Sequence, residues 1–164
     1  MVDSPRLDTQ TLRWVCERFD ALGVHALHDA LALRCRVFIL EQGPYQDPDD
    51  ADQYAWHVLG YGAQGGLLAC LRIVDPGVRY AEPSIGRVVV AAEARGQGLG
   101  QWLMQQGLMH CEQVWPGRAV RISAQAHLQA FYGALGFAAV GAPYLEDDIP
   151  HIEMLRPSRT KETA

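Results

Sequence analysis

The sequence predicts a single α/β domain built around one mixed β-sheet. Segments typical of strands alternate with segments typical of helices, and no internal repeat or low-complexity stretch interrupts them. The 164 residues, 49% of them hydrophobic, are enough for one sizeable core. An apolar run at 84–90 leads directly into a glycine-rich turn and a helix-forming stretch, so we expect the centre of the sheet there.

The first part of the chain predicts an edge strand, a helix and a hairpin. Imperfect alternation over 12–19 favours the edge strand, which Gly23 ends. Strands at 54–61 and 67–74 are expected to pair through a turn at 63–66. Apolar residues that recur every three or four positions predict an amphipathic helix ending near residue 40; they are Leu27, Leu31, Cys35 and Phe38.

A loop at 43–53 separates this helix from the hairpin. It is rich in proline, glycine and carboxylates, with four aspartates at Asp47, Asp49, Asp50 and Asp52. Such a loop is ordinarily solvated surface, but it could also attract a cationic amine such as a polyamine or a lysine side chain.

The second part predicts three more strands after the central strand at 84–90, which should be buried on both faces. These strands are expected at 119–124, 137–144 and 149–155, which gives about six or seven strands in all. A short helix carrying Tyr132 on its apolar face should end at Gly136. The longer helix after the glycine turn should bury one stripe, which consists of Met104, Leu108, Cys111 and Trp115.

The glycine-rich turn has the chemistry of a phosphate cradle. A bound pyrophosphate needs several N–H donors in one concavity, and side chains at 96, 98 and 100 would obstruct it. The following helix adds the positive end of its dipole, and Arg95 adds a permanent charge. A nucleotide-hydrolase loop is excluded because no lysine precedes Lys161, and the glycine spacing does not fit a dinucleotide-binding fold.

The turn Arg95-Gly96-Gln97-Gly98-Leu99-Gly100 resembles the Arg-x-x-Gly-x-Gly cradle in which GNAT acetyltransferases hold the pyrophosphate of acetyl-coenzyme A. Further segments, in the same order, resemble the ElaA-like branch of this superfamily. They are Arg36-Val37-Phe38, Glu41-Gln42, Ile85-Gly86-Arg87-Val88, Ala124-Gln125-Ala126-His127-Leu128, Phe131-Tyr132, Leu135-Gly136-Phe137 and Glu146-Asp147-Asp148-Ile149-Pro150-His151-Ile152.

The resemblance implies a mostly antiparallel sheet that splays at its centre, between the strands at 84–90 and 119–124. The pantetheine arm of the coenzyme would lie in this gap and pair with the backbone of Val88, Val89 and Val90. An amide near Val88 or Val89 could then stabilise the oxyanion that forms during attack on the thioester.

Two side chains occupy positions where the family contacts the coenzyme. Tyr132 lies where the family places its general acid, although a tyrosine on the apolar face of a helix is more often a packing residue. Gln125 stands where many GNAT members have an asparagine that touches the coenzyme.

For the general base, the candidates are Glu41, His57, Glu82 and His151, with Glu41 and His57 ranked first as catalytic residues. Glu41 would end its helix at the unfavourable end of the dipole, which hints at a role. A strand histidine such as His57 is more often structural, and His151 could simply pair with neighbouring carboxylates. Glu82, Asp148 and His151 are candidate contacts for the acceptor substrate.

Charge and composition exclude several other classes. The net charge of −5 disfavours a nucleic-acid surface. No signal segment or membrane-spanning run is expected, and the four separated cysteines indicate reduced thiols in a cytoplasmic protein. Cys35, Cys70 and Cys111 are expected at core positions, so no cysteine relay is predicted. No metal site is expected, because the histidines lack ligand spacing.

The resulting prediction is an N-acetyltransferase domain at 11–157, with loose segments at 1–10 and 158–164. It would move an acetyl group from acetyl-coenzyme A to a primary amine, carried by a small molecule or a peptide, by direct attack in a ternary complex. The alternative is a non-catalytic module that binds or senses acyl-coenzyme A. Edge strands could pair in a homodimer.

Overall fold

The computed structural model describes residue 7 and residues 11–158, and a single sheet of eight strands crosses this part of the chain. The strands are β1 (Arg13–Arg18), β2 (Ala55–Tyr61), β3 (Leu67–Val74), β4 (Ser84–Val90), β5 (Val120–Gln125), β6 (Ala138–Ala139), β7 (Tyr144–Glu146) and β8 (Ile149–Arg156). Apart from residues 7 and 158, the predicted loose segments lie outside the described residues.

The strand order is β1-β2-β3-β4-β5-β8-β6, with β7 also paired to β8. Every pairing is antiparallel except β4 with β5, which is parallel. The predicted α/β class with a mixed, mostly antiparallel sheet is therefore confirmed. The expected six or seven strands become eight because the segment 137–144 forms no single strand and contributes to the two short strands β6 and β7.

Four α-helices accompany the described sheet: α1 (Phe19–Leu22), α2 (Val24–Arg34), α3 (Leu99–Val114) and α4 (Gln129–Ala134). A π-helical segment, Cys35–Glu41, continues α2, and short 3₁₀ turns lie at Asp50–Tyr54, Ala92–Ala94 and Ala126–Leu128. The predicted hairpin turn is present, because the Gly62 amide donates to the Gly66 carbonyl over 2.9 Å.

The buried face of the first long helix differs from the predicted one. Ala30, Leu33, Arg34, Val37 and Phe38 are buried, whereas Cys35 is exposed. The inward positions are spaced three or four apart, as expected, but they are offset from the predicted stripe. The prediction that Cys35 is a core residue is therefore wrong, because the inward face includes Arg34, whose guanidinium is held by the buried carboxylates of Asp47 and Asp52.

Two apolar clusters hold the helices against the sheet. One contains Leu103 and Met104 of α3, and the other contains Leu33 of α2. The predicted stripe of α3 is confirmed, since Met104 and Cys111 are buried and Leu108 and Trp115 are partly buried. Gly107 permits close contact with the sheet: a Cβ atom there would lie 3.1 Å from a methyl group of Leu71.

The centre of the sheet is open at one end. β4 and β5 share a single register pair, Ser84 with Arg121, so the rest of β4 has no strand partner on that side. Val89 is buried, but Val88 and Val90 are only partly buried. Burial on both faces was therefore the wrong expectation for this part of β4, because a cavity replaces the neighbouring strand.

β4 is also irregular on its other side, where it pairs with β3. The register runs from Cys70–Val89 to Arg72–Gly86, so Leu71 spans two residues of β4, Arg87 and Val88. Arg87 adopts the left-handed region, with φ of 51°. This β-bulge bends the strand beside the cavity and re-aims its side chains.

Candidate functional site

A cavity of about 310 Å³ lies between the diverging strands β4 and β5. The π-helical segment closes one side of it, and the start of α4 and the β7–β8 turn close the other. Eight of the predicted site residues line it: Glu41, Val88, Val89, Val90, Arg95, Gln125, Tyr132 and His151. The structure thus brings together residues that are more than 100 positions apart in the sequence.

The glycine turn continues directly from Arg95 at the edge of this cavity. Gly96 and Gly98 have φ of 73° and 79°, a region that side-chain-bearing residues rarely adopt. Gly98 is the N-cap of α3, and no side chain caps this helix. The amides of the first turn therefore lack side-chain acceptors within the protein, which leaves a helix N-terminus suited to an anion.

The remaining residues of the turn have structural contacts. The Oε1 atom of Gln97 accepts a hydrogen bond from the Leu7 amide over 2.5 Å, and Leu99 is buried in the core. A Cβ atom on Gly100 would lie 3.6 Å from the ring of Phe131, an ordinary contact distance. Within the protein, position 100 therefore has room for a side chain, whereas positions 96 and 98 need glycine for their backbone conformation. That glycine at 100 leaves room for the pyrophosphate stays a prediction.

Arg95 is fixed by two partners. Its Nε donates to the Val90 carbonyl over 3.1 Å, and its guanidinium forms an ion pair with the Glu41 carboxylate at 3.0 Å. Both side chains are partly exposed. Glu41, a candidate base, therefore lies at the cavity as the counter-ion of the arginine that the sequence assigned to phosphate binding.

A second contact links the two sides of the cavity close to this ion pair. The Nε2 atom of Gln125, at the end of β5, donates to Oε1 of Gln42 over 3.1 Å. Gln42 follows Glu41 directly, so the end of the π-helical segment touches both the glycine turn and β5.

Tyr132 contributes its side chain from α4. Its ring is buried and packs edge-on against Phe131 and Phe137, with centroid distances of 5.0 and 6.1 Å. The residue lines the cavity, and no described residue forms a hydrogen bond with its hydroxyl. Burial raises the pKa of Tyr132 to about 12, so the hydroxyl keeps its proton at neutral pH and can act only as a donor of it.

His151 lies on β8, opposite Gln125 of β5. Its Nδ1 atom is 2.7 Å from the Ile149 carbonyl, an acceptor, which assigns a hydrogen to Nδ1. The neutral ring then carries its free lone pair on Nε2. The imidazole stacks on Tyr144 with a centroid distance of 6.2 Å.

Three other predicted site residues do not line the cavity. His57 is 3% exposed, its Nε2 lies 2.9 Å from the Asp52 carbonyl, and burial lowers its pKa. Glu82 forms two hydrogen bonds of 3.0 Å with Arg121, which lower the pKa of its carboxyl. Asp148 lies in the turn before β8, where its neighbour Asp147 lines the cavity instead.

A buried ion-pair network supports the wall formed by β3 and β4. Arg34 and Arg72, both almost fully buried, share Asp52, with shortest distances of 2.8 and 2.9 Å. Arg34 also pairs with Asp47 at 2.8 Å. Further ion pairs of this network join Arg72 to Asp49, Arg87 to Asp47 and Arg87 to Asp49.

This network corrects the interpretation of the acidic loop. Asp47 and Asp52 are 1% and 5% exposed, so they are neither solvated surface nor available to an amine. The sequence carried a signal, since Arg34, Arg72 and Arg87 interrupt apolar helix and strand patterns. Charged residues at such positions need buried partners, and the loop aspartates are the partners available.

The cavity includes functional candidates that the sequence did not single out: Tyr45, Arg79, Tyr80 and Ser123. Three of them come from loops, where no periodicity indicates which way a side chain points. Among the cysteines, Cys70 and Cys111 are buried, and burial raises the pKa of each thiol to about 12. None of the four cysteines lines the cavity.

The fold and this cleft agree with the comparison to known proteins. A family described as acetyltransferase (GNAT) domain matches residues 56–156. The chain belongs to the GNAT acetyltransferase family. GNAT proteins take an acyl group from acyl-coenzyme A and act on amine acceptors, so acyl transfer is the activity class that this membership supports.

Sequence comparison shows that the chain is similar to ElaA proteins, as its motifs predicted. Protein ElaA of Escherichia coli is 41% identical over 148 residues, which cover 88% of this chain and 96% of ElaA. A UPF0039 protein of Synechocystis is 39% identical over 145 residues, covering 88% and 94% of the two chains.

Solved structures give the same result. A crystal structure of an acyl-CoA N-acyltransferase from Pseudomonas aeruginosa has a TM-score of 0.84 and 47% identity, covering 88% of this chain and 99% of that one. The crystal structure of E. coli ElaA has a TM-score of 0.82 at 40% identity with the same coverage. In the described part of this chain, no helix has the length and apolar character to cross a membrane.

Proposed function

We propose that this GNAT protein is an N-acetyltransferase that moves an acetyl group from acetyl-coenzyme A to a primary amine. The amine attacks directly, in a ternary complex of protein, donor and acceptor. The proposal is carried by the open cleft between β4 and β5, which is lined by Arg95, at the start of the glycine turn, and by Tyr132.

The pyrophosphate would bind at the turn formed by residues 95–100. Gly96 and Gly98 set the backbone of this turn, and the first amides of the 16-residue helix α3 follow at once. Oriented amides and the helix dipole both favour negative charge here. Arg95 already holds one anion, the Glu41 carboxylate, which supports its use for a phosphate oxygen.

The pantetheine arm would lie along Val88, Val89 and Val90. Beyond Ser84, β4 has no strand partner on the side of β5, so its polar backbone groups on that side are available to a ligand. The bulge at Arg87 and Val88 turns one part of this edge toward the cavity. An amide there would stabilise the negative charge that develops on the thioester oxygen.

Tyr132 is the proposed general acid, which donates its proton to the departing thiolate. Its burial and high pKa keep the proton in place until the thiolate forms. Its hydroxyl has no partner among the described residues, so it is available to the sulfur atom.

We assign the general base to His151 rather than to Glu41 or His57. Of these three candidates, only His151 combines a place in the cavity with an imidazole nitrogen, Nε2, that is free to accept a proton. Glu41 is engaged with Arg95, and His57 is buried against Asp52. The base would take the proton from the attacking ammonium, directly or through a water molecule.

The placement of the thiols supports direct attack. A covalent relay needs a nucleophile in the cleft, and no cysteine lines it. High pKa values also keep the thiols of Cys70 and Cys111 protonated and therefore unreactive.

The test is the release of free thiol from acetyl-coenzyme A in the presence of a panel of primary amines, with mass spectrometry of the acylated product. We expect amine-dependent release that exceeds the rate without amine at least tenfold for some members of the panel. Binding of acetyl-coenzyme A without amine-dependent release would instead support the binding or sensing module.

A further inference from the structure

Charges of opposite sign line the end of the cavity that is formed by the β3–β4 loop and β7. Arg79 and Tyr80 belong to the loop between β3 and β4, whereas Glu146 and Asp147 belong to β7 and the turn after it. These four residues line the same cavity as Tyr132 and His151.

Arg79 adds a positive charge to a neighbouring ion-pair network whose charges already balance. Arg34, Arg72 and Arg87 are matched one for one by Asp47, Asp49 and Asp52. Arg79 is a fourth cation beside these three pairs. Among the described residues, its one ion pair is with Asp49 at 4.0 Å, and that carboxylate already binds Arg72 and Arg87 at shorter distances. Its side chain is 40% exposed, so its guanidinium is accessible to a ligand.

A second donor on this side of the cavity also lacks an acceptor. The Nε atom of Arg72 is buried, and no part of the protein that the structure describes accepts a hydrogen bond from it. Arg72 lines the cavity beside Arg79 and Arg87. With Arg79, four guanidinium groups face three aspartates here, so the wall carries a net positive charge, which favours an anionic occupant.

The facing wall of the cavity is acidic. Oε2 of Glu146 accepts a hydrogen bond from Ser123 over 3.2 Å, and Ser123 also contacts the Tyr144 hydroxyl. Glu146 and Asp147 form no ion pair with a described cation. His151, the proposed base, lies on this wall because β8 pairs with β7.

The two walls border the same cavity of about 310 Å³, which both Arg79 and Glu146 line. A single small molecule in this cavity can therefore reach both charges.

We infer that the acceptor is an amine that also carries a carboxylate, in the manner of an amino acid. Its carboxylate binds the guanidinium of Arg79, and its ammonium binds Glu146 and Asp147 beside His151. This inference rests on the proposed function, since it names the class of amine that the site acylates. An amine with a second cationic group would place positive charge against Arg79, and an uncharged end would leave this arginine with only its 4.0 Å ion pair to Asp49.

The test compares amines that differ only in the carboxylate. Each amino acid is assayed against its own carboxamide and against the corresponding decarboxylated amine, with acetyl-coenzyme A as donor. We expect kcat/KM to be at least tenfold higher for the carboxylate member of the best pair. A dipeptide with the same C-terminal residue separates free amino acids from peptide termini as the source of the carboxylate.

The Arg79→Gln variant connects this preference to the proposed residue. In this variant most of the difference in kcat/KM between the amino acid and its carboxamide should disappear, and the change should lie in KM. The Arg79→Lys variant should retain part of the difference. Arg36→Gln, which alters an exposed arginine outside the cavity, is the control and should keep the full preference. Circular dichroism and thermal unfolding establish that each variant is folded.

The outcomes separate this inference from the proposed function. Equal or faster acylation of the carboxamides would overturn it, as would an Arg79→Gln variant that slows acids and amides alike. If acetyl-coenzyme A binds but no amine reacts, the amino acid and its carboxamide are each titrated into the complex of protein and coenzyme. Equal binding of the two compounds, or no binding of either, contradicts the inference. Failure of acetyl-coenzyme A to bind at all contradicts the proposed function itself.

Discussion

The carboxylate of Glu41 lies 3.0 Å from the guanidinium of Arg95, and this ion pair joins the end of the π-helical segment to the start of the glycine turn. A carboxylate at the end of a helix is unfavourable against the helix dipole unless a cation compensates it. Arg95 provides that cation. The same contact places a negative charge next to the turn that we propose for pyrophosphate binding.

Replacing Glu41 by glutamine should therefore strengthen coenzyme binding. The Glu41→Gln variant loses the charge that repels the phosphates but keeps a side chain of nearly the same shape. We expect the Kd of acetyl-coenzyme A to fall by roughly twofold to fivefold, the range of a partly exposed charge interaction. Calorimetric titrations at several salt concentrations measure it, and the gain should shrink as salt rises. If Glu41 is the general base, the variant will instead lose turnover with unchanged affinity.

Tyr132→Phe should separate catalysis from coenzyme binding. The variant keeps the buried ring between Phe131 and Phe137 and removes only the hydroxyl, so we expect kcat to fall by about 10-fold to 100-fold. The Kd of acetyl-coenzyme A should stay within about twofold. Steady-state kinetics and calorimetry provide the two measurements.

The matched control for this variant is Tyr61→Phe. Tyr61 is also a buried tyrosine, but its hydroxyl donates to Asp29 and it does not line the cavity. Its removal should leave kcat unchanged. Equal losses of activity and stability in both variants would identify Tyr132 as a packing residue.

His151→Gln tests the proposed base. The glutamine amide has no basic nitrogen, so it cannot take the proton from the attacking amine. In the variant kcat/KM should therefore fall by about 100-fold. His127→Gln is the control, since His127 also lines the cavity without a proposed role. Equal activity of His151→Gln and the native protein would exclude His151 as the base.

The ion-pair network predicts how stability depends on pH. Burial alone would raise the pKa of Asp52, but Arg34 and Arg72 hold it at about 2, below its ordinary value of 3.8. Since the folded state has the lower pKa, this contribution is complete above about pH 4 and is lost as the pH falls toward 2. Urea unfolding between pH 2 and 6 should show this loss.

Asp52→Asn removes that contribution at every pH. It leaves Arg34 and Arg72 with one carboxylate fewer in a buried site, so we expect a loss of about 3 kcal/mol in the free energy of unfolding at pH 7. Asp50→Asn, at an exposed position in the same loop, should cost less than about 0.5 kcal/mol. Similar losses in both variants would contradict the network as a major source of stability.

The fold was predictable because periodic patterns report directly on helices and strands. The predicted strand 67–74 agrees with β3, the strand 84–90 agrees with β4, and the glycine turn was located before α3. The divergence of β4 from β5 followed from the family resemblance. The continuous apolar run of β4 alone predicted a strand buried on both faces.

The acceptor side of the cavity was much less predictable. The buried network depends on ion pairs between residues distant in the sequence, such as Arg72 with Asp52. The sequence of a loop does not indicate which distant residue its side chains contact. Positive φ at Arg87, which accompanies the bulge, has no local sequence signal either. Residues such as Arg79 and Asp147 come from irregular segments, whose side-chain directions depend on the completed fold.

The most direct test of the account is calorimetric titration with acetyl-coenzyme A of the native protein, Gly98→Val and Gly117→Val. Both glycines have left-handed φ, 79° and 73°, and neither has a neighbour within 4 Å of an added Cβ atom, so both variants carry similar backbone strain. Gly98 begins α3, whereas Gly117 follows its end. We predict micromolar binding to the native protein and to Gly117→Val, and at least a 30-fold weaker affinity for Gly98→Val. Equal binding by all three proteins, or no binding to the native protein, would show that the turn only starts a helix and would remove the basis of the proposed acetyl transfer.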